Sequence, residues 1–252
     1  MKNTKLEIIN VSKEYKDDFG FKVSLLENIS FEISPERCSA VIAPKGSGKT
    51  SLLKIIAGLE NPTSGQIIEH RFMNIVFIPT KPSSFPWFSV NENLKFGSKL
   101  ESEDELKNIV KIIGLEGYEN HIPHNKSLGF RFRIAMGRAL ANKADLIILD
   151  EPFNEMEIVT KEEMYDLVRN IFREYKIPFL IGTTNITEAI FLADKIHLMK
   201  KNPGKLIDEL DVDLPAGRNV QILSEPDFNE IRVKIENIFK TKESYKSLNF
   251  YI

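Results

Sequence analysis

Residues 38–59 read CSAVIAPKGSGKTSLLKIIAGL, and the fold turns on the eight of them at 43–50, APKGSGKT. The run from Cys38 to Ala43 is short and apolar, as a buried strand is. Beyond the glycines, apolar side chains recur at helical spacing until Gly58 and Pro62 stop them. A strand, a glycine loop and a helix in that order suit an anion. Gly46 and Gly48 carry no Cβ bulk, so backbone N–H groups can turn toward phosphate oxygens. Lys49 is placed to reach the β- and γ-phosphates of a nucleotide and the Thr50 hydroxyl to hold Mg²⁺. Pro44, Lys45, Ser47 and Ser51 complete the cofactor-binding stretch. The helix opening near Lys49 adds its N-terminal field to the same anion. A plain Gly-Ser surface turn is the competing reading, and the flanking strand and helix weigh against it. Ala43 breaks the strict pattern G-x-x-x-x-G-K-[ST] at its first position. Alanine costs little there if its φ is negative and is strained if the loop needs a left-handed residue.

Composition narrows the partners. With 252 residues, 42% of them apolar, the chain can bury a full α/β core as one large domain or two small ones. A net charge of -2, from 34 basic and 36 acidic residues, gives no field that would gather nucleic acid or anionic lipid. The single cysteine, Cys38, allows no internal disulfide and reads as a buried thiol in a reducing compartment. The opening MKNTKLEIIN lacks a continuous apolar segment, and nowhere do about 18 apolar residues run together, so neither an export signal nor a membrane span is expected.

Two β-rich stretches, 6–15 and 21–33, flank the turn KDDFG and predict an antiparallel start. Later the short apolar strands LIILD (146–150), PFLIG (178–182) and KIHLM (195–199) alternate with helical stretches, the pattern of a parallel sheet. Between about 83 and 144 the helices NENLKFGSKL and EDELKNIVKIIGL follow one another without strands and read as a helical insertion. One more amphipathic helix is expected at 227–239, and the tail TKESYKSLNFYI either frays or docks. Asp150 closes the apolar strand LIILD, where a nucleotide triphosphatase needs a carboxylate for Mg²⁺, and Glu151 follows in position to polarise an attacking water. His121 and His124 in HIPH have a metal-ligand spacing, but no cysteine or carboxylate cluster stands beside them.

At this point the chain resembles the ATP-binding subunits of ABC transporters, of the nitrate, sulfonate and taurine importer type, over nearly its whole length. NVSKEY is similar to the family's entry strand, which makes Tyr15 the aromatic that stacks on adenine. FPWFSVNENLKFG is similar to the family's Pro-Trp-x-Thr-Val-x-x-Asn run. IPHNKSLGFRFRIAMGRAL is similar to its signature helix, and TEAIFLADKIHLM and DVDLPAGR follow in order. The resemblance implies an α/β fold: a P-loop NTPase core with a mainly parallel sheet, an N-terminal antiparallel β subdomain and an inserted helical subdomain. It implies one ATP-binding domain over 1–252, its helical subdomain at about 83–144 and its C-terminal extension at about 211–252. ATP and Mg²⁺ are the implied cofactors. The implied partners are a second ATP-binding subunit, identical or paralogous, a membrane permease and an extracytoplasmic solute-binding protein, with no nucleic acid. The implied location is the cytoplasmic face of the cell membrane. Trp87 is either core or part of the surface that receives the permease.

Departures from the family pattern cluster at the residues that read the γ-phosphate. The family's Q-loop glutamine falls on Thr80 and its switch histidine on Thr184, which has a hydroxyl but no titratable proton. The signature Leu-Ser-Gly-Gly-Gln becomes KSLGF at 126–130, keeping Ser127 and Gly129 for the opposite nucleotide, and the D-loop aspartate becomes Glu157. Losing one preorganised donor typically costs about 3 kcal/mol, or ~10²–10³ in rate, so weakened hydrolysis is expected. The rival reading is a nucleotide-gated regulatory or structural subunit that turns ATP over little. A kinase or GTPase would want a substrate-binding or guanine-reading segment, and the sequence shows none.

Overall fold

The structure is a computed structural model that describes residues 6–16, 19–69, 74–82, 84–124 and 126–247, with side chains described as far as 242. In chain order its strands are β1 (Leu6–Lys16), β2 (Lys22–Ile33), β3 (Ser39–Ile42), β4 (Ser64–Glu69), β5 (Ile75–Ile78), β6 (Leu146–Asp150), β7 (Phe179–Thr183), β8 (Lys195–Lys200) and β9 (Lys205–Asp211). The helices are α1 (Lys49–Ile56), α2 (Val90–Lys95), α3 (Glu103–Ile112), α4 (Leu128–Ala141), α5 (Ile158–Tyr175), α6 (Ile186–Leu192) and α7 (Pro226–Ser247), with a 3-10 turn at Val220–Ser224. The chain divides into two compact units, one built from 1–72 and 179–252 and the other from 73–178.

The first unit holds two sheets. One is antiparallel, in the order β2-β1-β4. The register of β1 against β2 slips between Ile8 and Val11. Asn10 and Asn28 absorb the slip in left-handed conformation (φ 50 for each), which asparagine tolerates better than most side chains. Gly65 is required beside them, because a β-carbon there would stand 2.3 Å from the Asn10 carbonyl oxygen. In the other sheet β7, β3 and β8 run parallel with β3 in the middle, and β9 returns antiparallel on β8. All four residues of β3 and all five of β7 are buried, so these strands carry unbroken apolar runs rather than alternation. Buried His197 of β8 lies against Phe31 and shares its Nδ1 with Glu209 at 3.0 Å.

In the second unit β5 and β6 pair in parallel, and α2, α3 and α4 come between them in sequence with no strand among the described residues. Ser89 and Glu92 form a reciprocal capping box on α2, and Ser102 caps α3 by accepting from Glu105 N. Helix α4 approaches its neighbours closely because Gly137 leaves room: a β-carbon there would come within 2.5 Å of Leu94 and 2.8 Å of Ile113.

The antiparallel start, the parallel strands and the helical run match the sequence reading. Helix α2 is shorter than expected from NENLKFGSKL, since Phe96 is already extended at its C-cap (ψ 111) and Gly97 beyond it takes a positive φ of 68. Strands β4 and β9 carry too few alternating apolar residues to be read from sequence, and the sequence reading passes over β5, the four-residue apolar run IVFI. Helix α7 runs past the expected 239 to 247. Part of the KDDFG turn (17–18), the boundary at Ser83 and the tail beyond 247 lie outside the described residues.

Candidate nucleotide-binding site

In the first unit, buried β3 delivers the chain to the phosphate loop and α1 leaves it. Gly46 (φ 80) and Gly48 (φ 86) both take left-handed conformation. A β-carbon on Gly48 would also stand 2.8 Å from Leu25 and Leu26, so glycine is required there twice over. The loop closes on itself through Ser47 N donating to the Pro44 carbonyl at 3.2 Å. Lys49 opens α1 and is only 6% exposed. Its stem runs past Gly182, where a β-carbon would lie 3.2 Å from its Cγ and Cδ. Ser47 is 1% exposed and its hydroxyl has no hydrogen-bond partner among the described residues, a buried polar group of the kind that an anion's oxygen would satisfy. Lys45, Gly46 and Thr50 are exposed, and Pro44 and Ser51 are half-buried or close to it.

Ala43 fits this loop. Its φ is not positive, its side chain is 1% exposed, and its N–H donates to the Thr183 carbonyl at 3.3 Å. The first position needs a small residue in ordinary backbone conformation, and alanine supplies it.

Thr183 links that loop to the next element. Its hydroxyl donates to Glu188 Oε2 at 2.6 Å and accepts from Asn185 N at 3.0 Å. Asn185 then caps α6 by accepting from the N–H groups of Thr187 and Glu188. Thr184 is the exposed crest of this closed turn. Sequence reading missed Thr183, Gly182 and Glu188; the Asn-x-x-Glu spacing at 185–188, a helix-start signal, could have pointed to the turn. Tyr15, half exposed, donates its hydroxyl to Glu60 and lies 3.4 Å from Ser51 Oγ, with the Lys13 ammonium 5.0 Å from its ring centre. Burial pushes the Glu60 carboxyl up, but the hydrogen bonds from Tyr15 and Lys13 outweigh it and hold it below its ordinary value.

In the second unit Asp150 ends β6 after four fully buried residues and is itself 3% exposed. Glu151 follows in left-handed conformation (φ 47), which costs a non-glycine residue about 1–2 kcal/mol. The chain turns there so that Glu151 stays half exposed while Phe153 goes back into the core. Thr80 is half-buried in the bend after β5. Ser127 caps α4, its hydroxyl accepting from Phe130 N at 3.2 Å. Gly129 is buried, where a β-carbon would meet the Thr160 methyl at 2.6 Å. Phe130 packs edge-on against Tyr118 with the Lys126 ammonium 5.5 Å from its ring centre. Glu157 sits at the N-cap of α5 without a side-chain cap bond. Trp87 is 68% exposed within a cluster of Phe85, Phe88 and Phe96, which overturns the core alternative for it.

A buried strand feeding two left-handed glycines, a sequestered lysine and a helix N-terminus, with a buried strand-end aspartate elsewhere in the chain, defines a P-loop nucleotide-binding protein. The family model described as ABC transporter matches residues 26–154. The chain is 34% identical to the aliphatic sulfonates import ATP-binding protein SsuB of Bacillus cereus, over 93% of this chain and 96% of that protein. It is 30% identical to the nitrate import ATP-binding protein NrtD of Synechocystis, over 95% and 96% respectively. The dimeric ATP-binding cassette MJ0796, solved in a post-hydrolysis state bound to ADP and Pi, superposes with a TM-score of 0.70 at 25% identity, over 83% of this chain and all of that one. CbiO1 of Clostridium perfringens, part of the ABC transporter complex cbiONQ, shares the fold with a TM-score of 0.73 at 20% identity, over 96% of this chain and all of that one. This chain belongs to the ABC transporter family and is one of its ATP-binding, P-loop ATPase members. Its fold is the ABC ATPase fold. Among the described residues no helix is long and apolar enough to cross a membrane.

Proposed function

We propose that this chain is the ATP-binding subunit of an importer of the sulfonate, nitrate and taurine type, and that its hydrolysis is weakened. The closed phosphate loop with its sequestered Lys49 and unpartnered Ser47 hydroxyl carries the nucleotide half of this reading. Lys49, the loop amides and Ser47 bind the phosphates; Thr50 and Asp150 hold Mg²⁺, which when bound neutralises phosphate charge; Glu151 orients the attacking water. Tyr15 packs on the base, with Lys45, Gly46 and Ser51 completing the contact. The relatives' names support import. On this reading the chain is one ATP-binding domain over 1–252, with a helical subdomain at about 83–144 and a C-terminal extension at about 211–252. It works in the cytoplasm at the inner face of the membrane, paired with a second ATP-binding subunit, identical or paralogous. A permease docks on the exposed aromatic cluster around Trp87, and a solute-binding protein outside the membrane delivers the solute.

Slow turnover follows from Thr80, Thr184 and the 126–130 segment. Leu128 stands where the family has glycine and Phe130 presents no polar atom to a phosphate. Those two observations also favour a second reading, a nucleotide-gated regulatory subunit. Calorimetry with MgATP separates binding from its absence: micromolar to millimolar affinity is expected, and its loss in Lys49→Ala. Steady-state phosphate release then separates the importer readings. A slow rate that vanishes in Glu151→Gln supports a weakened ATPase; no release above that variant supports the regulatory subunit; a rate of tens per second overturns weakened hydrolysis.

A further inference from the structure

Helix α6 follows directly on the turn that carries Thr184, and two arginines of the C-terminal segment grip its ends. Arg218 closes the far end: its guanidinium donates to the carbonyls of Ile190, Phe191 and Ala193 at 3.1, 3.2 and 2.6 Å and to Asp194 at 3.1 Å. A cation on the last carbonyls of a helix is favourable both as a cap and against the helix dipole. Arg232, from the second turn of α7, takes the near end and donates to Thr187 Oγ1 at 2.7 Å. Its side chain lies 6.0 Å from the ring centre of Phe228, one turn back, and Phe228 is fully buried, so the arginine is held before it reaches across.

From Thr187 the connection runs on through further hydrogen bonds. Thr187 N and Glu188 N donate to Asn185 Oδ1; Asn185 N donates to Thr183 Oγ1; the Thr183 carbonyl accepts from Ala43 N at the mouth of the phosphate loop. Thr184 lies inside this ring of bonds, between Thr183 and Asn185. We propose that Arg232 is a positioning residue for Thr184: through Thr187 it fixes the turn so that the Thr184 hydroxyl reads the γ-phosphate. The inference rests on the nucleotide reading above. A threonine reaches less far than the family's histidine, so the register of its turn matters more.

The test uses the full chain and measures binding of MgATP and MgADP by calorimetry. Arg232→Ala and Thr187→Val are each expected to weaken MgATP about 5-fold, the worth of one hydrogen bond, and to leave MgADP unchanged. Arg232→Lys, which keeps one donor, is expected to recover most of the loss. Arg232→Ala combined with Thr184→Val should lose no more than Thr184→Val alone, because both act through one contact. Amide exchange of 184–188 in the nucleotide-free protein should quicken in Arg232→Ala. Equal loss of ATP and ADP affinity, additive losses in the double variant, or unchanged exchange at 184–188 would each overturn the positioning role. Absence of any nucleotide binding by the wild type would sink the functional reading, and unchanged exchange would still judge the contact by itself.

Discussion

The phosphate loop and the turn at the start of α4 both depart from the family pattern, yet the two departures change different things. At the loop, Ala43 replaces glycine and the structure takes it up without strain, because that position contributes a backbone N–H to Thr183 and needs only small size and an ordinary φ. At 126–130, leucine and phenylalanine stand where the family presents backbone and a polar side chain. There the Ser127 hydroxyl accepts from Phe130 N at the start of its helix, and the Phe130 ring is set against Tyr118 and Lys126. A site built from main-chain amides tolerates exchange wherever the backbone stays put. A site built from side chains does not, because the replaced atoms are the chemistry.

The sharpest break in the comparison comes from altering the loop where its backbone is special. Gly48→Ala places a β-carbon against Leu25 and Leu26 at a φ of 86, so MgATP affinity should fall ~100-fold or more in calorimetry. Affinity within a few-fold of wild type would show that the loop is looser than its geometry implies. Next in size, Leu128→Gly together with Phe130→Gln returns small and polar groups to the start of α4. On the proposed reading, in which Thr80 and Thr184 also slow turnover, steady-state phosphate release should rise about 10-fold, a fraction of the ~10²–10³ that one donor carries. No rise would mean the turn is not where turnover is lost.

A smaller effect tests whether the Ser127 hydroxyl is committed to its helix. Ser127→Ala should cost about 1 kcal/mol of stability in urea unfolding, the usual worth of an N-cap, with little change in turnover. A change in turnover without a change in stability would reverse that assignment. The smallest expected effect belongs to Ala43→Gly. Restoring the family residue should leave MgATP affinity within 2-fold and lower stability by at most ~1 kcal/mol through the greater freedom of the unfolded chain. A large gain in affinity would show that Ala43 does strain the loop.

Much of this was legible in the chain itself. The apolar runs at 39–42, 146–150 and 179–183 are buried at every residue, so their burial shows as unbroken hydrophobicity. Gly46, Gly48, Lys49 and Thr50 stand out by spacing, because a phosphate loop is a local object whose parts lie within one strand, turn and helix, and Asp150 and Glu151 stand out as the acids that close a separate apolar strand. Strands β4 and β9 were not legible, since their burial is partial.

The sequence by itself determined the family and the strand, loop and helix around the glycines, for these follow from side-chain identity at short spacing. Only the tertiary structure decided that Ala43 is at ease, since its φ is set by β3 docking beside β7 and by the bond to Thr183. It alone decided that Trp87 is exposed, because an apolar aromatic reads the same in sequence whether or not neighbours cover it. It alone brought Arg232 to Thr187, a contact across 45 residues that no local pattern encodes. Short-range chemistry is written in order along the chain; long-range contacts depend on which surfaces remain to be buried once each element has formed.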